Sequence, residues 1–592
     1  MAFGVGGAEP INALVEQALH RLSRGQPPEG IEMERVDFKE ERGRRGPGGT
    51  VSPGETTNER AADHLAAEMA CMANTPGGGA VIVGVADDGD RIGTRLDADW
   101  LRHRIWELTS HQLTIAVSEA RLDECRLLIL TCIEALAPVR YGGKLRWRVG
   151  TNCVEVDPVV WQSRMQERIG FDWSDQTSGQ TLDDVSPGAI EVARRYLREA
   201  NGDDSDTSLA NATDADLLRR LNLVKDSREL TNAGSLLFVA TPWPGVDYIR
   251  RDMPGGDSTL RIEGAGPLLV QVREVEQASE VANRVTHTAE GFAHGRVRAI
   301  PPRTLREAIV NGLVHRDWLA PRPTVIEHVG DTLTVTSPGG FVGGVTPDNI
   351  ITHPAVPRYR NLSEAMAALG LAEREGIGVD RMVRDMLAIG RPAPVIAEVD
   401  GPYVRVVLLG GDPDTAVIDL VAALTPAWAS NVESLLLIAY MTRQGWVDAE
   451  SATPLLQRSS VEEAEQAIRR LEDARLGTDD PASVIARVQG IPPHLPDAFR
   501  LSDTVRGRLA HRVASLSDPE SRETLVLEWC RARGRVSSTE VADLTGLSKV
   551  YAGKLLTRLA AAGHLMAGRP GRRGRGFFYV PAEPSTHEYK SQ

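Results

Sequence analysis

Two sets of residues in this 592-residue chain have types and spacing suited to chemistry. In REAIVNGLVHRD, Glu307, Asn311 and His315 recur every four residues. That spacing sets a carboxylate, an amide and an imidazole along one helical face. Downstream, DTLTVTSPGG alternates as a strand towards the turn Pro338-Gly339-Gly340. Gly376-Ile377-Gly378 then opens the helical stretch VDRMVRDM, with Arg381 nearby. The amino end of such a helix can face phosphate, because its first N–H groups lack partners within the helix. The second set is basic. In KVYAGKLLTRLAAAGHL, capped by Ser548, the apolar stripe Val550, Leu555, Leu556 and Leu559 leaves Lys549, Tyr551, Lys554 and Arg558 towards solvent. MAGRPGRRGRGFFYV follows as a glycine-rich turn and strand carrying Arg569, Arg572, Arg573 and Arg575 with no acid among them.

The elements around this basic set read as a helix-turn-helix. ETLVLEWCRAR is a helix; SSTEVADLTGLS is a second, capped from Ser537 or Ser538 with Glu540 close behind and ending at Gly546. With a basic hairpin beside its last helix, the unit predicts a winged helix for double-stranded DNA. A winged helix used for protein contacts, or a merely solvated arginine loop, is the alternative.

Charge limits the partners. Lys and Arg number 67 against 81 acids, for a net charge of −14. A generalised polyanion binder is excluded, so any nucleic-acid contact is focused on local basic patches. A 42% hydrophobic content supports full cores, and the length predicts about four domains. No early run resembles a signal peptide, and no apolar stretch nears the roughly 20 residues a membrane span needs. The five cysteines (Cys71, Cys125, Cys132, Cys153 and Cys530) lack CxxC spacing and do not suggest zinc. Cys71 and Cys132 lie in apolar runs as small core residues, and the expected compartment is a reducing cytoplasm.

The fold class predicted is multidomain α+β. An N-terminal helix occupies 1–30, an α/β domain 31–165, and a connecting α+β domain 186–300. A nucleotide-type module follows at 301–412, a helical unit at 430–490, and the winged helix at 518–582. Residues 43–60 read as a mobile loop, 170–188 as a polar boundary, and 488–496 as a proline-rich join. In the helical unit, three helices span about 434–476; the third is acidic (Glu462, Glu463, Glu465), which suits packing or dimerisation better than DNA.

The first α/β domain carries VDFKE, MANTPGGGAVIVGVADDG and RWRVGTNCVEV. Together these resemble the Schlafen/AlbA-like domain over about 125 residues. Nuclease members of that family hold divalent metal on three acids, and the matching positions here are Glu32, Asp37 and Asp88. The resemblance implies Mg²⁺ or Mn²⁺ at these carboxylates if the domain cleaves RNA or single-stranded DNA. Asp37 is one methylene shorter than the family's usual Glu. The competing expectation, which we favour, is a nucleic-acid-binding platform. Lys39, Arg91, Arg146 and Arg148 are the phosphate contacts under either.

A second resemblance rests on LREAIVNGLVHRDW, VIEHVGDTLTVTSPGGF and GLAEREGIGVDRMVRDM, in that order. These resemble the C-terminal ATPase-like module of RecG-like regulators, related to the GHKL fold. The resemblance implies ATP with Mg²⁺, Glu307 as the base that positions water, and Asn311 as the metal residue. His315, Gly339, Gly340, Gly376 and Gly378 complete the implied nucleotide site. SPGG stands where GHKL proteins carry the DxGxG adenine box, and the long glycine lid is missing. A motor helicase is excluded, since no GxxxxGK[ST] loop occurs; GGKL at 142–145 lacks the spacing and the hydroxyl.

These readings predict a cytoplasmic, homo-oligomeric, DNA-binding transcriptional regulator with a nucleotide- or ligand-sensing module, and no enzyme. The alternatives are a Schlafen-type nuclease, perhaps suited to phage defence, and an ATP-binding conformational switch.

Overall fold

The computed structural model describes residues 11–582, apart from 25, 29–30, 46–50, 87, 123–124, 136, 157, 159–160, 162–171, 202–208, 226–227, 242–243, 291–292, 373–375, 400–402, 478–481, 514–517 and 570–575. The architecture is the expected multidomain mixture of helices and sheets. No helix among the described residues is long and apolar enough to cross a membrane.

The first unit is built from α1 (Ile11–Ser23), β1 (Val36–Lys39), α2 (Glu59–Asn74), β2 (Gly79–Val83), α3 (Ala98–Leu108), β3 (Ala116–Leu122) and β4 (Cys125–Cys132). The sheet order is β1-β2-β4-β3, with β1 parallel to β2 and the other pairs antiparallel. The run GAVIV is apolar throughout because both sheet faces are covered. Val81 and Val83 meet Leu65 and Met69 of α2, whereas Ala80 and Ile82 meet Val15, Ala18 and Leu22 of α1. The N-terminal helix therefore belongs to this domain's core. Asn58 starts α2 by accepting from the Ala61 N–H.

A hairpin of β5 (Lys144–Val149) and β6 (Asn152–Glu155) packs at the carboxyl end of α2. The Asn74 amide donates to the carbonyls of Val139 (2.7 Å) and Arg146 (2.9 Å), and Thr75 Oγ1 accepts from the Arg148 N–H. This docking brings Cys71 over β6, where it forms a disulfide with Cys153 across 82 residues of sequence. The expectation of unpaired thiols fails for these two; Cys132 and Cys530 are buried and free, as core residues.

The second unit is organised on a six-stranded sheet. Its strands are β7 (Val246–Arg251), β8 (Ser258–Glu263), β9 (Thr324–Val329), β10 (Thr332–Pro338), β11 (Val395–Val399) and β12 (Tyr403–Leu409). Their order is β8-β7-β9-β10-β12-β11, with β7 and β9 parallel and the rest antiparallel. Helices α4 (Leu268–Ala282), α5 (Pro302–Val314), α6 (Arg360–Ala368) and α7 (Gly378–Ala388) pack into one core with it. The boundary expected at 300/301 crosses this sheet. The reason is the parallel pairing that sets Tyr248 opposite Ile326, which merges the expected connecting domain and nucleotide-type module into one body. The described part of the expected polar boundary at 170–188 is also docked on it: the Asp172 carboxylate accepts from the Asn361 N–H at 2.7 Å, and Trp173 meets the Tyr359 ring.

The last two units are mainly helical, the first also carrying a small sheet of Val447–Asp448, Ala498–Leu501 and Ile485–Arg487. The first holds α8 (Val432–Gln444), α9 (Ala449–Leu455) and α10 (Val461–Glu472). The second holds α11 (Pro519–Arg533), α12 (Ser538–Thr545), α13 (Lys549–Ala561) and a strand pair, β13 (Leu565–Ala567) with β14 (Tyr579–Pro581). Ser537 and Glu540 form a capping box, and Gly546 closes α12 at φ 71°. Both units share contacts: Trp446 meets Trp529 edge-on at 4.9 Å, Asp448 pairs with Arg533 at 2.8 Å, and Arg500 with Asp543 at 2.8 Å.

Candidate functional site

The nucleotide-type site begins on α5, which starts with Pro302 in its first turn, where a missing N–H costs nothing. Thr304, Leu305, Ala308 and Ile309 turn into the core. Glu307 is 8% exposed, and its Oε1 accepts from the Asn311 amide at 3.1 Å. The first residue of α7 closes on this pair: a Cβ placed on Gly378 would come within 2.7 Å of the Glu307 carboxyl carbon. The chain's own carboxylate thus occupies the amino end of α7, the position expected for phosphate.

His315 stands at the carboxyl end of this helix. The helix ends at Val314, and His315 is its C-cap, with its N–H bonded to the Asn311 carbonyl. Its carbonyl accepts from Arg358 Nε at 3.1 Å. The residue is open to solvent, yet protein surrounds it on most sides. That crowding, reinforced by the Arg358 guanidinium, lowers the imidazole below its ordinary range.

The glycine turn after β10 is held by residues outside its own sequence motif. Arg358 donates to the Gly340 carbonyl at 2.6 Å, and a Cβ on Gly339 (φ +95°) would meet Arg358 and Asp317. A Cβ on Gly340 would lie 2.6 Å from the Glu398 carboxylate, which accepts from the Phe341 N–H. Tyr359 donates to Asp317 at 2.9 Å. Asp317 was in plain view in HRDW, but nothing local tied it to a turn more than twenty residues on. Gly376 adopts φ +71° against Ala355.

In the first unit, Glu32 and Asp37 adjoin one another. Asp37 is 2% exposed and pairs with Arg148 (2.8 Å) and Lys39 (2.7 Å). Burial alone would raise its carboxyl; the two cations outweigh burial and hold it below the usual range. Glu32 is pushed up to about 7, chiefly by burial and then by the Asp37 charge and hydrogen bond. Asp88 does not join them. Its side chain is 58% exposed on a turn, where it accepts from the Asp90 N–H and lies 3.5 Å from Arg45. No three acidic, histidine or cysteine side chains among the described residues form a metal-holding group. The donor set fits a divalent ion poorly, since two cations already neutralise Asp37. Arg148, expected at a phosphate, is buried on Asp37, and Arg91 donates to the Leu22 carbonyl. Arg146 remains exposed.

On the last unit, Lys549, Tyr551, Lys554 and Arg558 face solvent on α13, while Ala552, Leu555, Leu556 and Leu559 are buried. Val550, expected in the apolar stripe, is instead 68% exposed beside Tyr551. It stands two positions before Ala552, about 200° around the helix from the buried stripe of Ala552, Leu555, Leu556 and Leu559. Lys554 stands over the Tyr551 ring at 5.1 Å, and Arg558 pairs with Glu523. Arg569 lies 5.8 Å from the Phe578 ring, which Arg535 also covers. Arg572, Arg573 and Arg575 lie outside the described residues.

Comparison with known proteins accords with this geometry. Residues 32–157 match the family model "Schlafen, AlbA_2", and residues 322–408 match "Putative ATP-dependent DNA helicase recG C-terminal". The crystal structure of the DIP2311 protein from Corynebacterium diphtheriae is 31% identical, with 96% of this chain and 99% of that one covered and a TM-score of 0.59. The chain belongs to the DIP2311 family. No curated protein matches it. In this DIP2311 relative, then, an AlbA_2 domain and a recG-type, ATPase-like module sit on one chain. The second match begins after Val314, so α5 with Glu307 and Asn311 lies outside it. Those two residues are tied to the module by packing, through Gly378.

Proposed function

We propose that this protein is a DNA-binding transcriptional regulator whose ATPase-like module senses a nucleotide or another small ligand. The supporting observation is the solvent face of α13. Four side chains suited to phosphate and base contact stand exposed there, on a protein of net charge −14. Three helices followed by an antiparallel strand pair support a winged-helix reading of the unit, with α13 entering the major groove. The AlbA_2 domain is a second nucleic-acid platform, and pairing of two copies would set two reading helices on successive half-sites. Nuclease chemistry gains nothing from Asp88, which stands apart from Glu32 and Asp37. Glu307, seated against Gly378 at the amino end of α7 where phosphate would bind, supports ligand sensing over turnover.

The test is fluorescence anisotropy of the full chain on pooled duplex DNA across a salt series. If Lys549, Lys554, Arg558 and Arg569 each neutralise one phosphate, the log–log salt slope is about −3.6 from these four. Arg558→Ala should weaken binding to all sequences and reduce the slope by about 1, whereas Tyr551→Ala should change the preferred site. A slope near zero, or indifference to both changes, refutes the reading.

A further inference from the structure

Gly553 stands in the middle of α13, where alanine would favour the helix about fivefold. Nothing else in the described chain calls for glycine there. The backbone is helical, and a Cβ built on Gly553 would meet nothing beyond the helix's own backbone within 4 Å. At helical spacing Gly553 shares one face with Val550, Lys554 and Thr557. Val550 is largely exposed on that face, with Tyr551 exposed beside it. Lys549 and Lys554 are exposed as well, and neither is in an ion pair among the described residues; Lys554 lies over the Tyr551 ring.

An apolar side chain, a bare stretch of backbone and two unpaired ammonium groups therefore lie together. On a chain of net charge −14, the two lysines point to a polyanion rather than to another protein's apolar face. The major groove of a duplex meets all three features. Its phosphates suit the lysines, and its floor comes close to any helix that enters it. The apolar group it displays is the C5-methyl of a pyrimidine. Val550 is the second residue of α13, and the amino-terminal residues of a recognition helix are the ones that reach base edges.

We propose that Val550 reads a 5-methylpyrimidine, thymine or 5-methylcytosine, in the major groove of double-stranded DNA, and that Gly553 lets α13 sit close enough for that contact. The assignment rests on α13 being the DNA-reading helix. It adds the chemical group that is read and the residue that reads it.

Fluorescence anisotropy of the full chain tests it, on the tightest duplex selected from a pool and on copies with deoxyuridine for thymidine at one position each. A parallel set carries 5-methylcytosine or cytosine at each cytosine position. Removing the methyl group that Val550 covers should weaken binding about fourfold, the effect of one buried aliphatic carbon. Loss with deoxyuridine identifies thymine, and loss on changing 5-methylcytosine to cytosine identifies the other base. Val550→Ala should weaken binding by a similar factor and abolish the response to the methyl group. Gly553→Ala should slow hydrogen exchange of the α13 amides about fivefold while weakening DNA binding about tenfold, the effect of one methyl group forced into a close contact. A purely structural role for Gly553 moves the two readouts in the same direction. Absence of binding to any duplex at low salt overturns the DNA reading and this assignment with it. Duplex binding that ignores both methyl exchanges, or Gly553→Ala binding as tightly as wild type, overturns the assignment alone; that is the result expected if the Val550 face serves a protein contact.

Discussion

Gly378→Ala is the sharpest probe of how α7 meets α5. On propensity alone, alanine in a helix is favoured over glycine by about 0.8–1 kcal/mol. Here the new methyl group would lie 2.7 Å from the Glu307 carboxyl carbon and must evict that carboxylate. Glu307 is buried and accepts the amide of half-buried Asn311, so eviction breaks that bond and displaces a buried carboxylate at a cost of roughly 1–3 kcal/mol. In a Glu307→Ala background the obstacle is gone, and Gly378→Ala should then be neutral or stabilising. The cycle predicts a coupling of about 1–3 kcal/mol, well above the few tenths expected of independent sites. Because several domains unfold separately, a global denaturation curve is the wrong readout. Hydrogen exchange of the α5 amides reports local opening instead, and 2 kcal/mol corresponds to about a 30-fold change in protection. Additive effects of the two substitutions would refute the packing of carboxylate on glycine.

Three further outcomes follow from particular contacts. Breaking the Cys71–Cys153 bond by Cys153→Ser releases a loop of 82 residues, which on chain entropy lowers the stability of the first unit by up to about 4.5 kcal/mol; equal melting of wild type with and without reductant would contradict this. The Glu32 carboxyl titrates at about 7 in the folded chain against 4.5 ordinarily, so its stabilising contribution is full below pH 4.5 and is lost as pH rises through 7. Glu32→Gln should therefore melt increasingly higher than wild type from pH 5 to pH 8, and a pH-independent difference would count against the assignment. Arg533→Ala leaves Asp448 buried without its ion pair and should cost about 3–5 kcal/mol at the junction of the helical units; limited proteolysis between residues 490 and 518 reads it, and unchanged cleavage would show the units to be independent.

Local grammar was legible along the chain. The capping box of Ser537 and Glu540, the stop at Gly546, the apolar run of β2 and the solvent face of α13 follow from residues within a few positions of each other, where spacing and burial of one face decide the outcome. The family patterns also stood in the sequence, since they are runs of contiguous residues. What required the fold were meetings between distant segments. The parallel pairing of β7 with β9, the bond from Cys71 to Cys153, the burial of Arg148 on Asp37, the hold of Arg358 on the SPGG turn and the seating of Glu307 on Gly378 each join residues 18 to 111 or so positions apart. Type and spacing fix which faces are apolar. They do not fix which charged group meets which, because any cation satisfies a carboxylate until packing leaves only one within reach.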